Sequence, residues 1–238
     1  MLRKFTMVLM VWAGLAAGVA YGSEEAIRKG IQARFPDLAV ESISKTPFSG
    51  IYEVVLGGRI VYTDEKVSFI FVGNLIDARG TAEKDLTRER SAQLTVQTLR
   101  KSLHLAFKRV HGNGKRTLYT FEDPNCPWCK KLHGELAKVK DVTVYTFLFP
   151  ILSQDSVDKS RAIWCAKDRA RAWDEVMTRG TAPQNDGKCD TPIEKNVEMG
   201  QRFGIRGTPA IFFADGRQVS GFVPADQIEQ ALASVGSR

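Results

Sequence analysis

The sequence predicts a chain in two parts. An α+β unit with one helix on a small antiparallel sheet leads, through a connecting helix, into an α/β unit of β–α–β…β–β–α order with a helical insertion. Three observations predict it. Apolar residues first fall at helical spacing and then in short strand-like runs, as far as Asp77. Next, from Ala82 to about Val110, they step by three or four residues along an otherwise polar stretch. From Lys115 onward, strand and helix patterns alternate. The expected boundaries are 1–22 for a leader, 23–81 for the small unit, 82–111 for the connecting helix and 112–238 for the larger unit.

Residues 1–22 read as a secretory signal peptide. Arg3 and Lys4 form its positive start, and Phe5 to Ala17 is apolar apart from Thr6. That run is too short for a comfortable membrane span. Ala20 and Gly22 place small residues at the −3 and −1 positions, so cleavage is expected before Ser23; an uncleaved anchor is the alternative. The mature chain is then expected in an oxidising compartment, where disulfides persist. The formal charge is +7, two units of it from Arg3 and Lys4. The remainder is spread along the chain, and basic pairs such as Lys130 with Lys131 read as solvated faces. No nucleic-acid-reading module is recognisable.

In the small unit, Ser23 is placed to cap a helix from Glu24 to Phe35, with Ala26, Ile27, Ile31 and Phe35 on one stripe and Pro36 ending it. Strands are expected over Val40 to Ser44, Ile51 to Leu56, Arg59 to Tyr62 after a Gly57-Gly58 turn, Val67 to Val72, and Asn74 to Asp77. This unit holds no cysteine or histidine and reads as a binding or assembly module. A domain this small gains from pairing with another copy. In the connecting helix, Ala92, Val96, Leu99, Leu103, Phe107 and Val110 form the apolar stripe, and Gly112-Asn113-Gly114 ends it.

In the larger unit, strands are expected over Arg116 to Phe121, Val142 to Phe149, Ala210 to Phe213 and Gln218 to Phe222. Helices are expected over Cys126 to Val139, Ser156 to Ala166, Asp168 to Arg179, Pro192 to Phe203 and Pro224 to Ser234. Between the first strand and the first helix lies Cys126-Pro127-Trp128-Cys129. Cys126 falls at the N-cap and Pro127 at the first helical position, where a missing N–H costs nothing. The amides of Trp128 and Cys129 and the helix dipole favour a thiolate at Cys126. Lys130, Lys131 and His133 are expected to add positive charge, while Glu122 and Asp123 oppose it. Cys129, one turn further in, is the more buried thiol. Cys126 is therefore the expected nucleophile and Cys129 the expected resolving thiol. A C-x-x-C pair is also half a zinc site, and it can be a plain structural bridge. Cys165 and Cys189 form no second such pair, which disfavours a metal, and a bridge closing so small a loop stabilises little. If Cys126 pairs with Cys129, Cys165 is left to pair with Cys189 across the turn-rich stretch Gly180 to Gly187; a second redox pair is the alternative.

These residues resemble a known family. Cys126-Pro127-Trp128-Cys129 after a strand, Gly207-Thr208-Pro209-Ala210 before one, and the element order look like a thioredoxin fold. Ala162-Ile163-Trp164-Cys165-Ala166-Lys167-Asp168, with Phe149-Pro150 ahead of it, is more specific. Together with the leader, the small sheet unit and the connecting helix, it resembles the periplasmic disulfide isomerases of the DsbC/DsbG type. The resemblance implies a cystatin-like N-terminal dimerisation domain, a homodimer and a periplasmic location, with no cofactor. It implies misfolded, wrongly bridged proteins as clients, and a membrane thiol reductase of the DsbD type as the electron source. Cys165 and Cys189 match the family's structural disulfide. Thr208-Pro209 matches its cis-proline loop, which, with Pro127 and Trp128, would contact the client. The Pro-Trp dipeptide departs from the Gly-Tyr usual in DsbC-type members and lies nearer the Pro-Tyr of DsbG-like ones, while the Trp-Cys-Ala-Lys-Asp stretch leans towards DsbC. The expected activity is therefore thiol–disulfide isomerisation and reduction with chaperone action. The alternatives are reduction of sulfenic acids on single cysteines, primary oxidation, which the dimer-type N-terminal domain disfavours, or a dimeric holdase.

Overall fold

The computed structural model describes residues 16–235. The start of the expected signal peptide, with Arg3 and Lys4, lies outside the described residues, and no described helix is long and apolar enough to cross a membrane. The chain forms two compact units, one ending at Thr87 and the other beginning at Arg88.

The first unit opens with helix α1 (Ala16–Arg34), which buries Ile27 and Ile31 completely. The helix runs through Ser23, so Ser23 is not the expected cap; its hydroxyl donates to Glu65 Oε1 at 2.9 Å instead. Strands β1 (Val40–Lys45), β2 (Tyr52–Leu56) and β3 (Arg59–Thr63) form an antiparallel sheet in that order. Gly57 and Gly58, both at positive φ, make the two-residue turn that sets Leu56 opposite Arg59. Val40, Ile43, Val54, Leu56 and Val61 close the core against the helix. The strand expected over Val67 to Val72 does not form. Asp64 accepts the amide of Ser68, Val67 turns into the left-handed region (φ 54°) with its side chain buried against Gly30, and only Phe71 pairs back, with Tyr62. The expected last strand shrinks to β4 (Ile76–Asp77), which pairs with β5 (Lys84–Asp85).

The connecting helix is also shorter than its periodicity suggests. Helix α2 is Leu86–Lys101, followed by a 3-10 turn at Leu103–Leu105. Phe107–His111 is a strand, β6. A three-or-four step and an alternating pattern coincide over so short a run, and pairing with the larger sheet decides between them.

That sheet contains β7 (Arg116–Glu122), β8 (Val142–Leu148), β9 (Ala210–Phe213) and β10 (Gln218–Ser220), in the order β10-β9-β7-β8-β6. Only β7 and β8 run parallel. Helices α3 (Pro127–Leu136), α4 (Gln154–Cys165), α5 (Arg169–Arg179), α6 (Ile193–Arg202) and α7 (Ala225–Ala233) surround it. Leu118, Val142, Val144 and Ile211 pack with Leu132 and Leu136 of α3 and Ile228 and Leu232 of α7. Tyr119, Phe121, Phe147 and Phe212 pack with Leu99 of α2 and Met199 of α6. The insertion, α4 and α5, is capped by Ser153 and Asp168, whose side chains accept the amides of Ser156 and Arg171, and it ends at Gly180 in the left-handed conformation. Its Ile163, Trp164, Trp173, Val176 and Met177 share one apolar cluster with Cys126 and Cys129.

Candidate active site

Strand β7 ends at Glu122, the chain turns through Asp123 to Asn125, and α3 starts at Pro127 with Cys126 as N-cap. Cys126 and Cys129 are free thiols, and Cys129 is completely enclosed. The Cys129 thiol donates to Cys126, and this is the largest cause holding the Cys126 thiol down at about 5; burial opposes it. The Thr208 hydroxyl, which no ordinary hydrogen bond satisfies, and the amides of Cys129 and Trp128 also favour the anion. When protonated, Cys126 Sγ donates to the Thr208 carbonyl at 3.2 Å. Burial pushes the Cys129 thiol far above its ordinary range, its hydrogen bond to Cys126 adds to this, and the nearby charge of Glu122 contributes. One sulfur is therefore an anion at neutral pH, in a residue only 4% exposed, and its neighbour a protonated reserve. That is the asymmetry thiol–disulfide exchange uses.

The other expected site residues fall in three places. The Thr208–Pro209 bond is cis, and Thr208 lies against Cys126. Pro127 is exposed at the first turn of α3, and Trp128 beside it is 52% exposed. The Trp128 ring centroid lies 6.0 Å from that of Phe222, and Lys131 Nζ sits 4.4 Å over the indole. Cys165, at the end of α4, is disulfide-bonded to Cys189. Among the described residues, no three His, Cys, Asp or Glu side chains gather as a metal site.

Beneath the thiols lies a polar network that the sequence reading did not assemble. Arg109, on the inner face of β6, is buried; its Nη2 lies 3.5 Å from Glu122 Oε1 and donates to Thr146 Oγ1 at 3.1 Å. Thr120 Oγ1 donates to Glu122 Oε1 at 2.7 Å. Arg109 Nη1 donates to His133 Nδ1 at 3.0 Å, so the proton of His133 sits on Nε2, facing Asp174 Oδ1 at 3.5 Å. Burial, and then Arg109, lower His133 to about 4, so it carries no charge at neutral pH. The positive contribution expected from His133 is absent for that reason. Glu122 is raised by burial, which Arg109 partly offsets. The signal for this network was the alternation Phe107, Arg109, His111, which places all three on one face once the segment is read as a strand.

Known proteins match most of the chain. A family model described as a thioredoxin-like domain matches residues 103–236, and one described as a disulfide bond isomerase protein N-terminal domain matches residues 18–88. The probable thiol:disulfide interchange protein DsbC of Bordetella pertussis is 44% identical over 209 residues, covering 87% of this chain and 74% of that protein. The thiol:disulfide interchange protein DsbC of Escherichia coli K12 is 28% identical over 218 residues, covering 89% of each. The crystal structure of a disulfide interchange protein from Neisseria gonorrhoeae superimposes with a TM-score of 0.54 at 42% identity, covering 56% of this chain and 96% of that one. With its paired domain matches, its extensive identity to these relatives and its asymmetric pair of thiols, the chain belongs to the DsbC family of thiol:disulfide interchange proteins, and its enzyme class is thiol–disulfide oxidoreductase.

Proposed function

We propose that this chain is an exported, periplasmic disulfide isomerase and reductase in which Cys126 attacks wrong disulfides of client proteins. One observation carries the reading: Cys126 is held down at about 5 at the start of α3, while the enclosed Cys129 is pushed up. The Cys126 thiolate attacks one sulfur of a client disulfide, forms a mixed disulfide and releases the other client sulfur as a thiolate. A second client thiol can then displace Cys126, leaving a rearranged client and the enzyme unchanged in oxidation state. Alternatively Cys129, losing its proton, attacks Cys126; the client leaves reduced and the enzyme carries a Cys126–Cys129 disulfide. That second route needs a reductase, and a membrane thiol reductase of the DsbD type fits the role.

Thr208 and cis-Pro209, with Pro127 and Trp128, form the client contact around the sulfur. The backbone beside a cis-proline suits an extended peptide laid along it. The Cys165–Cys189 bridge is structural. The first unit, matched by the isomerase N-terminal domain model, joins two copies into a homodimer, and the paired chains hold unfolded clients as a chaperone does.

The test is refolding of a scrambled multi-disulfide protein by the reduced chain and by Cys126→Ser. Native client recovered only with Cys126 present supports isomerisation. A folded dimer that recovers no native client, yet reduces a sulfenylated single-cysteine protein, overturns it in favour of thiol protection. Aggregation suppressed equally by Cys126→Ser/Cys129→Ser supports the chaperone role.

A further inference from the structure

Sheet pairing places two apolar pairs, Trp128 with the half-buried Phe222 and Ile151 with Leu152, on opposite flanks of the reactive sulfur. Strand β7 delivers the turn that bears Cys126. On one side of it stand β9 and then β10, and on the other stands β8. The parallel register sets Leu148 beside Glu122, so the chain leaving β8 emerges at the site end. The antiparallel registers set Phe121 beside Ala210 and Ala210 beside Ser220, so the chain leaving β10 emerges at that same end. Phe222, which packs on Trp128, follows β10. Ile151 and Leu152, 39% and 54% exposed, follow β8.

The second pair is fixed rather than loose. Beyond the Phe149 amide, which donates to the Glu122 carbonyl at 2.8 Å, the ladder runs out, and the amides of Ile151 and Leu152 would lack partners. Both donate to Asp123 Oδ2, at 2.9 and 3.1 Å. Asp123 is fully buried; its Oδ1 accepts the amide of Asn125 at 2.8 Å, and its carbonyl accepts the amide of Cys126 at 3.1 Å. Asn125 in turn donates to Asp155 Oδ2 at 2.6 Å and accepts from Lys159 Nζ at 2.9 Å, which ties the turn to the first residues of α4. One carboxylate thus joins the backbone that carries the reactive sulfur to the backbone that carries two solvent-facing aliphatic side chains. An apolar group whose backbone is already ordered binds a partner at a smaller entropic cost than one on a free loop.

We propose that Ile151 and Leu152 are specificity-determining residues. They take up an apolar side chain next to the client cysteine under attack, and so favour disulfides that an unfolded client has exposed from its own core. The occupant is an extended client segment with an aliphatic residue adjacent to its cysteine. The proposal rests on the reading of Cys126 as the attacking sulfur. In the step it acts on, the Cys126 thiolate forms a bond to one sulfur of the peptide disulfide, the old sulfur–sulfur bond breaks, and the second peptide leaves as its thiolate.

The test uses the full mature chain, reduced, with three disulfides: glutathione disulfide, the disulfide dimer of a Leu-Cys-Leu peptide and that of a Ser-Cys-Ser peptide. Rates of mixed-disulfide formation are read by mass spectrometry for wild type and for Ile151→Ser/Leu152→Ser, whose sites are exposed enough to accept serine. The expected result is a loss of about tenfold with the Leu-flanked peptide, the low end for one apolar contact. Rates with glutathione disulfide and the Ser-flanked peptide stay within about twofold of wild type on the same reasoning. A Leu-peptide rate equal to that of wild type, or an equal fall with all three, overturns the proposal. Failure of wild type to react with glutathione disulfide would instead remove the assignment of Cys126 beneath it, so the two failures are told apart.

Discussion

Arg109 Nη2 stands 3.5 Å from Glu122 Oε1 with both side chains buried, so one ion pair lies beneath the two thiols. Removing one member of such a pair leaves the other as an uncompensated buried charge. Arg109→Met is therefore expected to cost about 3–5 kcal/mol in urea unfolding, while Arg109→Met/Glu122→Gln costs clearly less because nothing charged is left behind. A double variant as unstable as the single one would mean that shape, not charge, sets the cost.

Cys126 sets how the reduced protein responds to pH. Its thiol ionises near 5 in the folded chain against an ordinary value of 9.0. A group whose folded value is depressed contributes stability that is fully present above the unfolded value and is lost as pH falls through the folded one. The reduced form should therefore gain stability relative to Cys126→Ser as pH rises from about 5 to 9. Iodoacetamide alkylation of Cys126 should rise through a midpoint near 5 and then level off. A midpoint near 9.0 would show that the donors around the sulfur do not act on it.

His133 works in the opposite charge sense. It is a base lowered from 6.5 to about 4, so the unfolded chain takes up its proton first as the solution is acidified. Stability should fall as pH drops from 6.5 towards 4, and His133→Gln should flatten that part of the profile. NMR titration of the ring checks the cause directly: its midpoint should lie near 4 in the native protein.

The Cys165–Cys189 bridge spans a sequence separation of 24 residues. Closing a loop of that size is worth roughly 3 kcal/mol through the unfolded chain. Cys165→Ser/Cys189→Ser should lose about that much in denaturant unfolding while keeping the reaction of Cys126 with glutathione disulfide. Loss of that reaction in a folded variant would give the bridge more than a structural part.

Local chemistry made much of this legible in the sequence. Proline at the first turn, a cysteine at the cap and a second one turn later marked the start of α3, and Gly57-Gly58 marked the hairpin. Tertiary contacts decided what stayed hidden. Val67 turns out of its strand because Asp64 holds the preceding turn and the space beside Gly30 receives its side chain. Phe107 to His111 fits a helical stripe as well as an alternating one until β8 is present to pair with it. Arg109 meets Glu122, and Asp123 meets Ile151 and Leu152, across strands or turns 13 to 29 positions apart, and sequence spacing carries no sign of such meetings.

Because β6 closes one edge of the five-stranded sheet, Gly112 is a poor place to cut the chain. A fragment starting there would leave β8 with a bare row of amides and carbonyls along Val142 to Thr146, open to pairing with another copy. It would form fibrous or amorphous aggregates under conditions where a fragment starting at Leu86, with α2 and β6 retained, stays in solution. The strand that periodicity assigns to a helix is what covers the edge of β8.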